Sequence, residues 1–246
     1  MVLPWRAAQR RAGRWPSNLG LIVLDSLVVR LAFPLTAAGV ALLAEARGWG
    51  LFHAGEVPHV LAFGLSLLLF DLMIYLQHIA FHLVPALWRI HRVHHADEVL
   101  DVSTGVRFHP LEILISTGLK CAVVLALGAP AAAVVAFEVI LNAAALFTHA
   151  NIRLPAGLDR ALRRVLVTPD MHRVHHSAVR AETDSNYGFN LVLWDRLFGT
   201  YRAAPAAGLD CVEIGIGAFH DPVEARIDRL LTQPFRRDDR PPDATQ

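Results

Sequence analysis

Residues 77–95 read QHIAFHLVPALWRIHRVHH and place five histidines in the spacings HxxxH and HxxHH. A second HxxHH follows about eighty residues later in the chain. Residues three and four apart share one face of a helix, so each motif can aim two or three imidazoles at one point. Imidazole is the commonest metal ligand in proteins. The sequence therefore predicts a metal site built from these eight histidines: His78, His82, His91, His94, His95, His172, His175 and His176.

The composition indicates a membrane protein. Of the 246 residues, 54% are hydrophobic and only 18% are charged, and the mean hydropathy is +0.40. The net charge of +1 gives no reason to expect a nucleic-acid partner. The two cysteines, Cys121 and Cys211, cannot build a cysteine-rich zinc site, and neither is predicted to form a disulfide.

Four apolar segments are candidate membrane spans: residues 19–44, 58–76, 111–127 and 129–147. The first two are long enough to cross the hydrocarbon core of a bilayer. The last two are near the lower limit, so they are either two short spans or a hairpin that enters and returns on one side. The predicted fold is an all-α membrane bundle of about four spans with a helical cap that carries the histidine motifs.

Positive charge predicts which side of the membrane the histidines face. Residues 1–17 carry Arg6, Arg10, Arg11 and Arg14, which favours a cytoplasmic start over a free basic tail. Two spans then return the chain to the cytoplasm at the HxxxH and HxxHH motifs. The cap is therefore predicted to be cytosolic, and the protein to be a multi-pass protein of the plasma or inner membrane. We divide the chain into a membrane-embedded domain, 1–202, and a polar C-terminal tail, 203–246, with a disordered end.

Three residues outside the motifs are further candidates. Asp71 lies on the helical stripe of His78 and His82, where it is predicted to accept a hydrogen bond from a liganding imidazole, or alternatively to face water at a helix end. His149 ends the last apolar segment on the histidine side, which favours a ligand over an ordinary interfacial histidine. His109 is either a ligand or a group at the mouth of the site.

The ligand type limits the metal to a transition metal such as iron, zinc, copper or nickel. The sequence has no HExxH, the usual zinc hydrolase motif. The eight nitrogens of the motifs are too many for one tetrahedral zinc and about right for two metal ions. Two metal ions at a membrane face suit oxygen chemistry on a lipophilic substrate. Oxidation of an unactivated C–H bond needs a redox metal, and zinc has no redox chemistry.

Several motifs together resemble those of the sterol desaturase and fatty acid hydroxylase superfamily. They are HxxxH, HxxHH, RFHP at 107–110, TPxxHRVHHS at 168–177 and DxNYGxxLxxWDRLFGTY at 184–201, and the resemblance covers residues 71–201. It implies an integral membrane fold with a cytosolic cap, a histidine-bound di-iron centre, and the use of O2 with two electrons. His78 and His82 match the first box, His91, His94 and His95 the second, and His172, His175 and His176 the third.

The fourth box departs from the family pattern. His149 sits where the family often has HxxxH, but residue 153 is arginine. The identity of the tenth ligand is therefore left open: it is either His109 or a water held by Asn151 or Asn186. Asp184 and Asn186, in the DxNYG motif, are predicted to support the ligands together with Asp71.

The function predicted from the sequence is O2-dependent hydroxylation or desaturation of a sterol, fatty acyl chain or other lipid. The chain has neither a haem-attachment CxxCH nor a dinucleotide fingerprint, so electrons are expected from a separate reductase. A membrane metal transporter and a zinc-binding membrane protein are the alternatives. The sequence leaves open the lipid, the carbon attacked and the oligomeric state.

Overall fold

The computed structural model describes residues 3–6 and 13–237. Arg10 and Arg11 of the basic start, and residues 238–246 of the end predicted to be disordered, lie outside the described residues. The fold is helical, as predicted. The helices are α1 Arg14–Ala32, α2 Ala37–Arg47, α3 Leu51–Ala54, α4 His59–Leu83, α5 Pro85–His95, α6 Pro110–Leu127, α7 Ala131–Thr148, α8 Ala156–Leu162, α9 Pro169–His175, α10 Arg180–Thr183, α11 Leu193–Leu197 and α12 Ile227–Thr232.

Other regular structure in the described ranges is short. Strand β1, Leu3–Pro4, pairs antiparallel with β2, Ile152–Arg153. Three 3-10 turns complete the set, at Thr104–Val106, Pro222–Ala225 and Gln233–Phe235.

Within the described residues, four segments are long and apolar enough to cross a membrane. They are Arg14–Ala54, His59–Leu83, Pro110–Leu127 and Ala131–Thr148, which confirms the prediction of about four spans. Helices α6 and α7 have 18 residues each, or about 27 Å, close to the hydrocarbon thickness of a bilayer. They run from the histidine end of the bundle to the opposite end, so they match two short spans.

The first span is broken where the sequence predicted one continuous segment. Helix α1 ends at Ala32, and Phe33, which precedes Pro34, has the extended backbone that proline imposes on its neighbour. Thr36 then caps α2, its side chain accepting a hydrogen bond from the Gly39 amide at 3.1 Å. The FPLT sequence at 33–36 thus divides the span into two helices.

The bundle core lies between α2, α4, α6 and α7. Helix α4 packs against α7, and α2 packs against both α6 and α7. The rings of Phe70 and Phe137 meet at 5.4 Å. The buried core residues are Ala37, Ala41, Phe70, Met73, Ile74, Cys121, Val124, Ala129, Val134 and Phe137.

Two glycine turns touch at the end of the bundle opposite the histidines. Gly50, before α3, has a φ of 100°, and Gly128, between α6 and α7, has a φ of 65°. A Cβ on Gly50 would lie 2.1 Å from the Gly128 amide nitrogen. The two turns can therefore approach this closely only because both residues are glycine.

Replacing Gly50 by alanine should lower the stability of the bundle by about 2 kcal/mol or more, because the substitution adds both a disfavoured φ and a backbone clash. The matched control is Gly64→Ala in α4, where an added Cβ meets nothing within 4 Å. Thermal unfolding in detergent would measure both. Equal melting temperatures for the two variants would contradict the close contact.

The cap is formed by α5, by α8 to α12 and by the loops that join them. Residues 203–237, which belong to the segment predicted as a polar tail, fold back over α5. Leu230 is buried against Leu21 and Val93, and the Arg92 guanidinium donates to the Gln233 carbonyl oxygen at 2.6 Å. Ile227, Leu230 and Leu231, which pack here, have the i, i+3, i+4 spacing of one helix face, within a segment whose overall composition is polar.

Candidate metal centre

Helices α4 and α5 bring the first two histidine motifs together. His78 and His82 lie in the last turns of α4, which ends at Leu83. Pro85 is the first residue of α5, where its missing N–H costs nothing. The sharp turn at Val84 folds α5 back against α4, so that the rings of His78 and His91 lie 5.0 Å apart.

The third motif lies on the short helix α9. Thr168 caps this helix, and Pro169 occupies its first turn. His172 and His175 are on α9, and His176 follows its last residue. All three histidines are buried, none being more than 2% exposed. His149, directly after α7, meets this helix, with 4.3 Å between the ring centroids of His149 and His172.

Nine histidines converge into two adjacent groups. In each group one side-chain nitrogen per histidine lies within 4.8 Å of all the others. Together the groups hold the eight motif histidines and His149. The first group is His78, His82, His91, His95 and His175, and the second is His94, His149, His172 and His176.

Each HxxHH motif contributes to both groups. On α5, His91 and His95 join the first group while His94 joins the second. On α9 the pattern is reversed, since His175 joins the first group and His172 and His176 join the second. The rings of His95 and His176 stack across the boundary at 4.5 Å. The two groups therefore form one continuous cluster.

In the first group, hydrogen bonds around the outside fix the imidazole tautomers. The Nδ1 atoms of His78 and His175 donate to the carbonyl oxygens of Tyr187 and Ser185, both at 2.8 Å. A carbonyl oxygen can only accept, so each Nδ1 carries the proton and each Nε2 has a free lone pair. Such outer partners are typical of histidines that bind metal.

Two carboxylates complete this outer ring. The Nδ1 of His91 donates to Glu112 at 2.8 Å, and the Nδ1 of His82 donates to Asp184 at 3.2 Å. A carboxylate on the far nitrogen raises the basicity of the imidazole as well as orienting it. Four of the five imidazoles of the first group thus present Nε2 to its interior.

The second group is built similarly around His149, whose Nδ1 donates to the Ala145 carbonyl oxygen at 2.7 Å. Its Nε2 lies 3.2 Å from the Nε2 of His94 and 3.0 Å from that of His172. The His172 and His176 Nε2 atoms are 3.1 Å apart. The ring of Phe108 stacks on His94 at 4.6 Å and covers one side of the group.

The distances between nitrogens fit bound cations. In the first group, the Nε2 atoms of His78 and His91 are 3.1 Å apart, although both bear lone pairs. Facing lone pairs repel, and a shared cation would turn that repulsion into attraction. Two ligands at right angles on a metal about 2.1 Å away lie about 3.0 Å apart. The donor set therefore suits a transition-metal ion in each group.

Unused nitrogens support the same conclusion. Buried imidazole nitrogens without a hydrogen-bond partner are costly unless something else binds them. Three histidines of the first group have such nitrogens, with no partner among the residues that the structure describes: Nε2 of His82 and His175, on the side of the ring away from the bonded Nδ1, and both nitrogens of His95.

Burial keeps the cap histidines neutral. It lowers the pKa of His149 to about 4 and that of His175 to about 3. Burial, with neighbouring imidazoles as the smaller cause, also holds the pKa of His94, His95 and His172 well below the usual value. A neutral imidazole keeps the lone pair that a metal needs.

The structure corrects the prediction for His109. Its Nδ1 accepts a hydrogen bond from the Leu111 amide at the start of α6, and its Nε2 donates to the Leu231 carbonyl oxygen at 3.1 Å. It belongs to neither group, because it is occupied as a helix cap and as a contact to the folded-back C-terminal segment.

Asp71 also differs from its predicted role. It accepts hydrogen bonds from Asn190 and from the Trp194 indole, both at 2.8 Å, and not from a histidine. Asp71 is eleven residues before His82, or about 16 Å along α4. It fastens α11 and the preceding Asn190 to the middle of α4, next to the loop that holds Tyr187 and Ser185.

Of the remaining predicted residues, one contacts a histidine and two bind backbone groups. Asp184 lies beside His82, as described. Asn186 donates to the Met171 and Arg202 carbonyl oxygens, and Asn151 exchanges hydrogen bonds with the Arg6 backbone. Both amides fasten loops, so neither supports the idea of a held water. Glu112, which follows the RFHP motif, was missed as a histidine partner, although its position beside that motif was a usable signal.

A cavity of about 470 Å³ opens beside the first group. His78 and His91 form part of its wall, and most of the rest comes from α1, α4, α6 and α7, with contributions from Gly105, Val106, Phe108 and Phe189. It extends into the bundle as far as Lys120 and Glu138, which form an ion pair at 3.0 Å. A ligand in this cavity would contact both the histidines and the membrane-spanning helices.

The chain is similar to known lipid-modifying enzymes. It is 31% identical over 235 residues to ornithine lipid hydroxylase OlsE of Rhizobium tropici, covering 93% of this chain and 68% of that protein. It is 31% identical to alkylglycerol monooxygenase of Danio rerio and of Homo sapiens, over 68% and 54% of this chain. The chain spans only 37% and 29% of those two proteins. No solved structure gives a significant match.

The family model for fatty acid hydroxylases matches residues 63–200. This range contains all nine clustered histidines and more than half of the chain. The chain therefore belongs to the fatty acid hydroxylase family.

Proposed function

We propose that the protein is a lipid hydroxylase that uses O2 at two iron ions, one in each histidine group. The observation that carries the proposal is the paired cluster of nine buried imidazoles next to a cavity within the membrane bundle. The fold brings the metal ligands and a site for a lipophilic molecule together.

Bound iron would supply the activation of O2 that side chains cannot provide. The reaction consumes a lipid C–H bond, O2, two electrons and two protons, and yields a lipid hydroxyl group and water. The electrons come, in this proposal, from a separate reductase.

The residues of the chain orient the metal ligands and enclose the site. Glu112, Asp184 and the carbonyl oxygens of Tyr187 and Ser185 hold imidazoles in the tautomer that presents Nε2 inward. Phe108 shields the second group, and burial of the cluster excludes bulk water. The cavity walls hold the lipid so that a C–H bond faces the first group.

Hydroxylation is proposed over desaturation because the relatives are named as a hydroxylase of ornithine lipid and a monooxygenase of alkylglycerol. A metal transporter would place ligands along a path through the spans. Here both groups lie at one end of the bundle, where α4 ends, α6 begins and α7 ends, which argues against transport.

The test is to purify the full chain in detergent or nanodiscs, measure bound iron, and incubate it with host lipids, a reductant and ¹⁸O2. We expect iron in the folded protein and lipid products that gain one labelled oxygen atom from O2. A folded protein reconstituted with iron that leaves the lipids unchanged while an added electron donor is consumed would count against the proposal.

We also propose that the cap faces the cytoplasm, and Cys211 allows a direct measurement. Cys211 is exposed in the cap, whereas Cys121 is buried in α6. A membrane-impermeant maleimide should label the protein in inside-out vesicles or permeabilised cells but not in intact cells. Cys211→Ser should remove the labelling. Labelling of Cys211 in intact cells would place the cap on the other side.

A further inference from the structure

Three acceptor oxygens in the cavity have no donor. They are Asp25 Oδ1, Gln77 Oε1 and Glu112 Oε2, which are buried and have no hydrogen-bond partner in the described part of the chain. They come from α1, α4 and α6, and all three residues line the cavity that also contacts His78 and His91. Three helices thus present unsatisfied acceptors beside the metal centre.

Glu112 and Gln77 each use their other polar side-chain atom in a contact within the protein. Glu112 accepts from the Nδ1 of His91 with its second oxygen, and the Gln77 amide nitrogen donates to Ser116 at 2.6 Å. The free oxygens are therefore left for something that enters the cavity. A buried acceptor without a donor costs about 1–3 kcal/mol, and more for a charged group.

Asp25 is the most unusual of the three. It is a carboxylate in the middle of a largely apolar helix and is only 7% exposed. An acid in such a position marks a functional site by default. Lys120 lines the same cavity but is paired with Glu138 at 3.0 Å. Two other acids within the spans have partners, since Asp71 accepts two hydrogen bonds and Glu138 pairs with Lys120.

We propose that Asp25, Gln77 and Glu112 bind a primary ammonium group of the substrate, so that the substrate class is an aminolipid. An ammonium group offers three N–H donors and a positive charge, which match three acceptors and the carboxylate of Asp25. A hydroxyl or a secondary amide offers one donor, and a quaternary ammonium offers none.

This arrangement fixes how the lipid lies. The amino group sits against the first histidine group, and the hydrocarbon extends along the cavity wall formed by α1, α6 and α7. The carbon that is oxidised is then close to the amino group instead of in the middle of an acyl chain. This consequence depends on the proposed hydroxylase function, whereas binding of the ammonium group does not.

The test compares three probes with the same tail: dodecylammonium, dodecyltrimethylammonium and dodecanol. Binding to the purified full chain in nanodiscs of uncharged lipid would be measured by competition with a fluorescent alkylamine. We expect dodecylammonium to bind roughly tenfold more tightly than either other probe, as charge-assisted hydrogen bonds imply. Equal binding of dodecylammonium and dodecyltrimethylammonium by the wild-type chain would overturn the proposal.

Variants of Asp25 test whether this residue causes the preference for dodecylammonium. Asp25→Leu should remove most of the preference for dodecylammonium, and Asp25→Asn should remove part of it while keeping the side-chain size. The control is Ser26→Ala on the same cavity wall, because the Ser26 hydroxyl already donates to the Ile22 carbonyl oxygen at 2.8 Å. If a preference persists unchanged in folded Asp25→Leu and Asp25→Asn proteins, the ammonium binds elsewhere and the assignment is wrong.

The outcomes separate this proposal from the proposed function. Lipid hydroxylation without any preference for an ammonium group would sink the aminolipid subsite and leave the hydroxylase intact. Ammonium binding that depends on Asp25 in a protein without hydroxylase activity would do the reverse.

Discussion

Replacing His175 by alanine should abolish lipid oxidation and reduce the iron bound to the purified protein. His175 contributes an Nε2 to the first group, and its Nδ1 is held by the Ser185 carbonyl oxygen. The substitution leaves a gap in a buried site whose other ligands cannot move to fill it. Since loss of an outer partner alone costs about 10- to 100-fold in metal affinity or activity, loss of a ligand should cost more than about 100-fold.

The same substitution in the second group gives the matched comparison. His172→Ala removes a nitrogen that lies 3.0 Å from the Nε2 of His149. We expect each variant to lose at least one of two iron ions, measured by mass spectrometry of the metal against protein concentration. Wild-type iron content in both variants would refute the assignment of these histidines as ligands.

Two other histidines serve as controls. His59 begins α4 at the end of the bundle opposite the cluster, so His59→Ala should keep both iron and activity. His109→Ala should keep its iron but melt at a lower temperature, because it removes the cap of α6. Loss of iron from His109→Ala without a change in melting would restore His109 as a ligand.

The second large effect is expected at Glu112. This carboxylate accepts the hydrogen bond from His91 Nδ1 at 2.8 Å and is buried. Glu112→Ala should therefore lower metal affinity and activity by about 10- to 100-fold. Glu112→Gln should fall between this variant and the wild type, because its amide oxygen can still accept but carries no charge.

The rate at which a chelator removes iron measures this effect directly. Thr117→Ala, on the same helix and cavity wall, is the control and should release iron at the wild-type rate. Equal release from Glu112→Ala and the wild type would show that His91 is held by its other contacts.

Much of this architecture is readable from residue spacing. Long apolar runs predicted the four spans, and the i, i+4 spacing in HxxxH and HxxHH placed imidazoles on shared helical faces. The position of His149 at the end of an apolar run made it a candidate, and the structure places it beside His94, His172 and His176. These features are local, since each depends on residues within a few turns of one helix.

The features that sequence reasoning missed depend on contacts between distant segments. No spacing rule shows that His94 joins a different group from His91 and His95, because that depends on how α5 meets α9. Asp71 accepts a hydrogen bond from Trp194, 123 residues away. The helical stripe that it shares with His78 therefore suggested the wrong hydrogen-bond partner. Pro34 is visible in the sequence, but the sequence alone does not show whether it ends the helix or only bends it.

The division of each HxxHH motif between the two groups has a consequence for assembly. Because α5 and α9 each contribute to both groups, neither histidine group can be completed while these two helices are apart. Metal uptake should thus be an all-or-none event that locks the cap shut. In cells starved of iron, proteases should cut newly made chains within the cap, while the membrane-spanning helices remain intact in the bilayer.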